Sequence, residues 1–419
     1  MKKLKQIWLS GFCLCLLIGS AMTFATPANA VTYYVSLTGH DANPGTLALP
    51  FRTITTGVLA LRPGDTLQIR AGIYAESLLD VIPGGTSWAS PVTVAAYPGE
   101  QVTLMPSAGA SRVIEINGEN RQFIVIDGLI LDGANVLYDV FKIGGNGTVG
   151  VAHHIRLQNS EVKNSPGPGI VVDGTLYPGF SSQPGCCNEF IAMNVHDNGT
   201  TLNNQGLYIR SGGNLVTRSK IYRNKCCGIN AFVSGGSQPN DNTIIGNEVF
   251  DNGINNTKGD GILVGGYRAN VQNNIIYGNR TVGIYVFGGD QRDAKILNNT
   301  VYSNIGVGIW IDPGSTATSI VNNIIYGNSG EAIQDAGQGT FSSTNLTINP
   351  MFVDAVGKNF RLQAGSPGIN TGTTRGDVLR DFADTARPQG GSHDIGAYEQ
   401  GAGVTDTKAP DSPRGVQVM

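Results

Sequence analysis

The chain has 419 residues, 14% of them charged, with a formal net charge of −3 and 58 glycines. A weakly charged, net-negative chain excludes a basic nucleic-acid surface, and so much glycine points to many turns rather than long helices. A chain of this length would ordinarily divide into two or more domains, unless it grows by repetition along one axis.

Residues 1–30 read as a signal peptide. Lys2, Lys3 and Lys5 precede an apolar run from Ile7 to Ile18, and Ala28-Asn29-Ala30 supplies a small-x-small cleavage site. Cys13 and Cys15 lack the small preceding residue that a lipid-modified cysteine wants, so cleavage and export of the mature chain are expected. No later apolar stretch approaches membrane-spanning length. Residues 31–80 are expected to form an N-terminal cap and first rung. Tyr33-Tyr34-Val35 begins a strand, Asp41 to Thr46 carries turn residues, and Thr53 to Leu61 predicts a short helix with Ile54, Val58 and Leu61 on one face. Such a helix would plug the open end of a stack.

Residues 81–345 are governed by a repeat, written most clearly between Val271 and Asn328. Asn273-Asn274-Ile275-Ile276-Tyr277-Gly278-Asn279 returns with small changes at Asn298 to Asn304 and again at Asn322 to Asn328. A small residue and then an Ile follow each time, at Gly283-Ile284, Gly308-Ile309 and Ala332-Ile333. Degenerate copies close on Asn252, Asn224, Asn198 and Asn164, with spacings from 24 to 34 residues. Each repeat holds three short β-type runs punctuated by Asn and Gly, and none is long enough for a helix. Three strands and three turns per repeat describe one rung of a parallel β-helix. Asn in the turns tolerates left-handed backbone, and its amide can bond the same Asn one rung away. Residues 346–400 are expected to form a closing segment, and 401–419, rich in Pro and polar residues, a disordered tail.

Particular words then resemble a known group. Tyr34-Val35-Ser36, Asn43-Pro44-Gly45-Thr46, Pro63-Gly64-Asp65-Thr66, Pro98-Gly99-Glu100 and Ile126-Asp127-Gly128 resemble secreted proteins of the pectate-lyase-like superfamily, nearest the family 9 polysaccharide lyases. Gly365 to Ile369, Arg387-Pro388 and Asp394 to Glu399 look like the closing segment of such proteins. The resemblance implies an all-β, single-stranded right-handed parallel β-helix. It also implies a working groove on the outer face of the Gly-Ile strands. Alternation puts Val171, Tyr208, Asn230, Leu263, Tyr285, Trp310 and Gln334 in one outward column. Asp173, Arg210, Phe232, Gly265, Phe287, Asp312 and Ala336 form the second.

Tyr208, Phe232, Tyr285, Phe287 and Trp310, with Asp312, are therefore candidate saccharide contacts, the rings offering apolar faces and the carboxylate fixing hydroxyls. The alternative is that loops cover these rings. A uronate lyase needs a cation to neutralise the substrate carboxylate and a base to take the neighbouring proton. Arg210 and Lys258 are the catalytic candidates, and Asp173 and Asp260 are candidate ligands should Ca²⁺ take part. Against this, Asp173 and Arg210 fall at equivalent points of adjacent rungs and could simply pair. There is no Asp-Asp for a β-helix hydrolase, no Asp-Pro-His-Asp, and no recognisable cluster of family 9 calcium ligands. His153-His154 and His196-Asp197 read as structural.

Outside the leader the cysteines are two adjacent pairs, Cys186-Cys187 and Cys226-Cys227. In an exported chain they favour disulfides. Inter-pair bonds would tie the segment from Thr175 to Asn188 over Tyr208 and Arg210. A bond within each pair, or a Cys₄ zinc site, are the alternatives. The expected function is β-elimination on a uronate-containing polysaccharide by a secreted monomer. The alternative is a non-catalytic glycan-binding or structural envelope protein.

Overall fold

The computed structural model describes residues 30–145, 151–174, 186–232, 240–253, 257–289 and 291–401. The chain winds through three parallel sheets of 12, 10 and 10 strands. One rung shows the plan: Lys295–Leu297 lies in the first sheet, Thr300–Tyr302 in the second and Ile309–Ile311 in the third. Each strand pairs with its equivalents one rung away, Ile309 standing between Ile284 and Ile333. This is the parallel β-helix that the repeat predicts. Short strands suffice because every backbone group that leaves one strand is met by the rung above or below.

The interior is filled by the inward residues of all three sheets. Ile296, Val301, Ile309 and Ile311 of that rung have no exposed surface, and each such side chain contributes about 1.5–3 kcal/mol by burial. The N-terminal plug is present as the helix Ile54–Ala60, capped by the Thr53 side chain and packed through Ile54 and Val58. Glu76 accepts from the first helical amides, Ile54 at 2.8 Å and Thr55 at 2.9 Å.

The corners are held by asparagine amides. Between the second and third sheets Asn198, Asn224, Asn252, Asn279, Asn304 and Asn328 form an unbroken ladder, each Nδ2 donating to the next Oδ1 at 2.9–3.0 Å. Between the first and second sheets Asn247, Asn274, Asn299, Asn323 and Asn345 do the same at 3.0 Å. A shorter third ladder, Asn188–Asn214–Asn242, sits between the third and first sheets. Ser165, rather than Asn164, stands in line with Asn198, whose Oδ1 takes the Ser165 amide at 3.0 Å; Asn164 occupies the left-handed position just before it, at φ 59°.

The small residue ahead of each Ile has a steric cause. A Cβ on Gly308 would lie 2.6 Å from the Ala332 carbonyl and 3.0 Å from Asn328 Nδ2. Residues 346–400 do not stay at the end of the stack. They fold back along the second sheet, where Asn273 donates to the Arg380 carbonyl at 2.7 Å and Asn322 to that of Thr373 at 2.8 Å. Arg387 and Glu399, both without exposed side chain, form the buried pair at 2.7 Å that holds this segment's own fold.

The ladders make a quantitative expectation. Asn299→Ala orphans the Asn274 backbone and side-chain donors and the Val271 carbonyl. At about 1–3 kcal/mol for each stranded buried group, unfolding free energy should fall by roughly 3–5 kcal/mol. A urea titration matching wild type would show that the ladder is not what holds the corner.

Candidate functional site

The third sheet positions the site. Its register places Leu79, Glu115, Lys142, Val171, Tyr208, Asn230, Leu263, Tyr285, Trp310 and Gln334 in one line on the outer face. Ladder bonds continue through the second column, with Arg210 N to the Val172 carbonyl at 2.8 Å and Phe287 N to that of Val264 at 2.8 Å. Both outward columns read from the sequence therefore stand side by side on this face.

The face divides into a charged end and an aromatic end. At the charged end Arg112 bonds Asp139 at 2.7 Å and Glu115 at 3.2 Å, and Lys142 Nζ lies 3.7 Å from Glu115. Arg210 Nη1 sits 3.3 Å from Asp173, and its guanidinium stands 5.7 Å from the Tyr208 ring centre. The adjacent-rung ion pair is thus formed. Lys142 and Glu115 were not reached by the repeat, because Phe141–Gly144 and Ile114–Asn117 lack the Gly-Ile word. Alternation in Phe141-Lys142-Ile143 was the available signal.

At the aromatic end Tyr285 and Trp310 stack at 4.7 Å with planes 12° apart, and Phe232 and Phe287 meet at 4.2 Å across Gly265. A Cβ on Gly265 would strike the Phe232 ring at 2.8 Å, so glycine makes that pairing possible. All five rings are half-buried. The expectation of open ring faces needs correction: Tyr285 and Trp310 spend a face on each other, and rungs stacked at strand spacing leave mainly edges for a ligand. Asp312 accepts from the Gly288 amide at 3.1 Å. Burial, together with the neighbouring Asp312 carboxylate, pushes the Tyr285 hydroxyl well above its usual range.

Among the described residues of this face, Arg210 Nε, Asn230 Oδ1 and Trp310 Nε1 are buried without a hydrogen-bond partner, as is Asn117 Oδ1 at the charged end. An unmet buried polar atom costs about 1–3 kcal/mol. Two donors and an acceptor over the five rungs from Arg210 to Trp310, with a second acceptor further along, form a pattern that a polyhydroxyl ligand can satisfy.

The remaining candidates sit elsewhere. Lys258 is exposed in the turn before the strand Ile262–Val264, where its Nζ donates to Asn203 at 3.0 Å. That corner is at the opposite end of the strands from Arg210. Asp260 accepts from the Thr281 hydroxyl and from the Val282 amide, the latter at 3.2 Å, and burial pushes its carboxyl up. It lies at the Lys258 end, whereas Asp173 pairs with Arg210. Among the described residues no three His, Cys, Asp or Glu side chains converge as a metal site. Asp173 and Asp260 stand at opposite ends of the strands and do not share a site.

The inter-pair disulfide does not form. Cys186 and Cys187 are bonded to each other, while Cys226 and Cys227 are free, buried thiols with sulfurs 3.1 Å apart. The physical reason is placement. The Cys187 amide is held by the Gly213 carbonyl at 3.1 Å, at the corner leaving the third sheet, and that of Cys226 by Asn204 at 2.8 Å, at the corner entering it. A disulfide needs Cα atoms within about 7 Å. The Thr175–Asn188 strap falls largely on residues 175–185, outside the described residues.

Asp260 provides a pH test. A carboxyl raised by burial contributes stability below its ordinary range and loses it as pH climbs through the raised value. Wild type should therefore lose melting temperature from acid to neutral pH relative to Asp260→Asn. Parallel melting profiles for the two proteins would mean the carboxyl is not strained by burial.

Residues 33–323 match the family described as Pel9A-like, right handed beta helix region. The pectate lyase Pel9A structure superposes with a TM-score of 0.69 at 18% identity, covering 89% of this chain and 97% of that one. A rhamnogalacturonan lyase follows the same fold at TM-score 0.52 and 17% identity, covering 85% and 99%. So does a GH136 lacto-N-biosidase from Eubacterium ramulus, at 0.53 and 15%, covering 76% and 68%. The uncharacterized protein YwoF of Bacillus subtilis (strain 168) is 31% identical over 133 residues, which span 31% of this chain and only 28% of that relative. The match from the first strand through the last Asn-Asn turn, on a stack of three parallel sheets, places the chain in the Pel9A-like right-handed β-helix family.

Proposed function

We propose that this protein is exported, acts as a monomer, and takes a uronate-containing polysaccharide along the outer face of the third sheet as a lyase. The observation that carries the reading is Arg210: a half-buried guanidinium on the groove floor, beside Tyr208, with Nε buried and unmet. A planar cation of this kind pairs with a carboxylate bidentately. Held there, the uronate carboxylate loses part of its charge and the adjacent C–H becomes acidic. A base then takes that proton, the glycosidic oxygen β to the carboxylate departs with a proton, and a carbon–carbon double bond remains in the product.

The base is assigned to Lys142. It stands two rungs from Tyr208 on the same column, about 10 Å along the axis at strand spacing, and two long side chains can converge over that distance. Lys258 is set aside because its corner faces away from Arg210. The rings supply contact along the chain, mostly through their edges.

A second reading is non-catalytic glycan binding. It is favoured by the pairing of every cation on the floor with a carboxylate, as in Lys142–Glu115 and Arg210–Asp173. A screen of pectate, alginate and glycosaminoglycans, read by ultraviolet absorbance of unsaturated product, separates the two. Turnover should appear on one of them, and Arg210→Ala should lower kcat/KM by about a hundredfold. Binding without turnover supports the second reading, and an unaffected Arg210→Ala enzyme overturns the assignment of that residue.

A further inference from the structure

A cleft of about 530 Å³ lies away from the groove, on the outer face of the second sheet, lined among others by Asn194, Arg218, Lys220, Tyr222, Arg223 and Phe250. It continues a surface that the chain itself already uses. Further along the same sheet Phe360 packs on Tyr277 and Tyr302, at 5.2 and 5.4 Å, and the amides of Asn273, Asn298 and Asn322 donate to carbonyls of residues 373–394. The ring stack runs on from Tyr277 to Phe250, Tyr222 and His196, at 5.0, 4.8 and 4.7 Å. Among the described residues, the ring contacts of Phe360 and Phe352 with this stack reach as far as Tyr277.

The turn column beside this stack holds left-handed backbone in each rung: Gly246 at φ 66°, Asn273 at 53°, Asn298 at 53° and Asn322 at 60°. Glycine and asparagine suit that region. At the cleft the same position is Arg218, at φ 53°, a residue that gains nothing from this backbone. Its guanidinium is exposed and has no ion-pair partner among the described residues. Its neighbours are paired: Lys220 with Glu248 at 3.4 Å, and Arg223 with Asp197 at 2.8 Å. Across the cleft Asn194 leaves Oδ1 buried without a partner among the described residues.

We propose that this cleft is a second saccharide-binding site, for a short stretch of acidic oligosaccharide. A carboxylate meets Arg218, a hydroxyl donates to Asn194 Oδ1, and the edges of Tyr222 and Phe250 pack against the sugar ring. Charge complementarity at Arg218, in a cleft whose other cations are paired, calls for one carboxylate at that point of the sugar chain. That the acid is a uronate rests on the function proposed above. A polymer held on this flank while another stretch lies in the groove would gain affinity through effective concentration.

Calorimetric titration of oligogalacturonate, oligoalginate and chondroitin oligosaccharides into wild type, Arg218→Asn and Arg210→Ala tests this. Wild type should show two sites for one of these ligands. Arg218→Asn should weaken one of them by about tenfold to a hundredfold while the melting temperature holds or rises, because asparagine suits the left-handed turn. A purely structural Arg218 would instead lower melting and leave both sites. Arg210→Ala should spare the cleft. One site, abolished by Arg210→Ala and untouched by Arg218→Asn, overturns the cleft and leaves the groove reading standing. One site, lost only in Arg218→Asn, supports the cleft and sinks the groove. Absence of binding by all three ligands overturns the cleft.

Discussion

The amide ladders at the corners are the constraint on which the rest of the molecule depends. A strand of three residues makes too few bonds to define where it begins and ends. An asparagine that donates to one rung and accepts from the next fixes that point to within a residue, since a slip by one would strand a buried amide at every corner. Asn304 shows the economy of the device: its backbone and side-chain nitrogens both donate to Asn328, its Oδ1 receives both from Asn279, and its Nδ2 also reaches the Ile276 carbonyl. Register set in this way is what carries Tyr208, Tyr285 and Trp310 onto a single line.

Once register is fixed, inward and outward positions separate cleanly, and only the outward ones are free to change. The third sheet uses that freedom to grade its surface, from Glu115 and Lys142 through Arg210 to the Tyr285–Trp310 stack. The second sheet uses it to build a ring stack, part of which the closing segment covers. The same repeat supports both, because nothing in the core at Ile284 or Ile309 senses what stands at Tyr285 or Trp310.

The fold was legible because its determinants are local and repeated. The closing Asn, the small residue and the inward Ile recur in the sequence at the spacing at which they act. The two outward columns followed from alternation alone. What the sequence did not show were relations between non-repeating parts. Nothing in Cys186-Cys187 or Cys226-Cys227 says that they occupy opposite corners of one sheet. Lys142 sat in a rung with no Asn-Gly word to draw attention to it. The left-handed position of Arg218 was hidden because its neighbours carry Ala or Gly instead of a recognisable Asn-Asn.

The corners also differ in how much variation they admit, and this bears on recognition. The two complete asparagine ladders flank the second sheet, and the turns beside them are short in most rungs. The third ladder stops at Asn242, and the following rungs place Ala269 and Ala294, both buried, in its line. The chain lengthens at this corner, as between Ile170–Val172 and Glu189–Ile191, compared with the short link from Leu207–Ile209 to Leu215–Thr217, and also at the corner entering the third sheet, between Glu248–Phe250 and Ile262–Val264. A solenoid that lengthens a corner changes what the neighbouring face can admit without disturbing its register. In this chain the amide ladders therefore hold the rungs in register across links of unequal length.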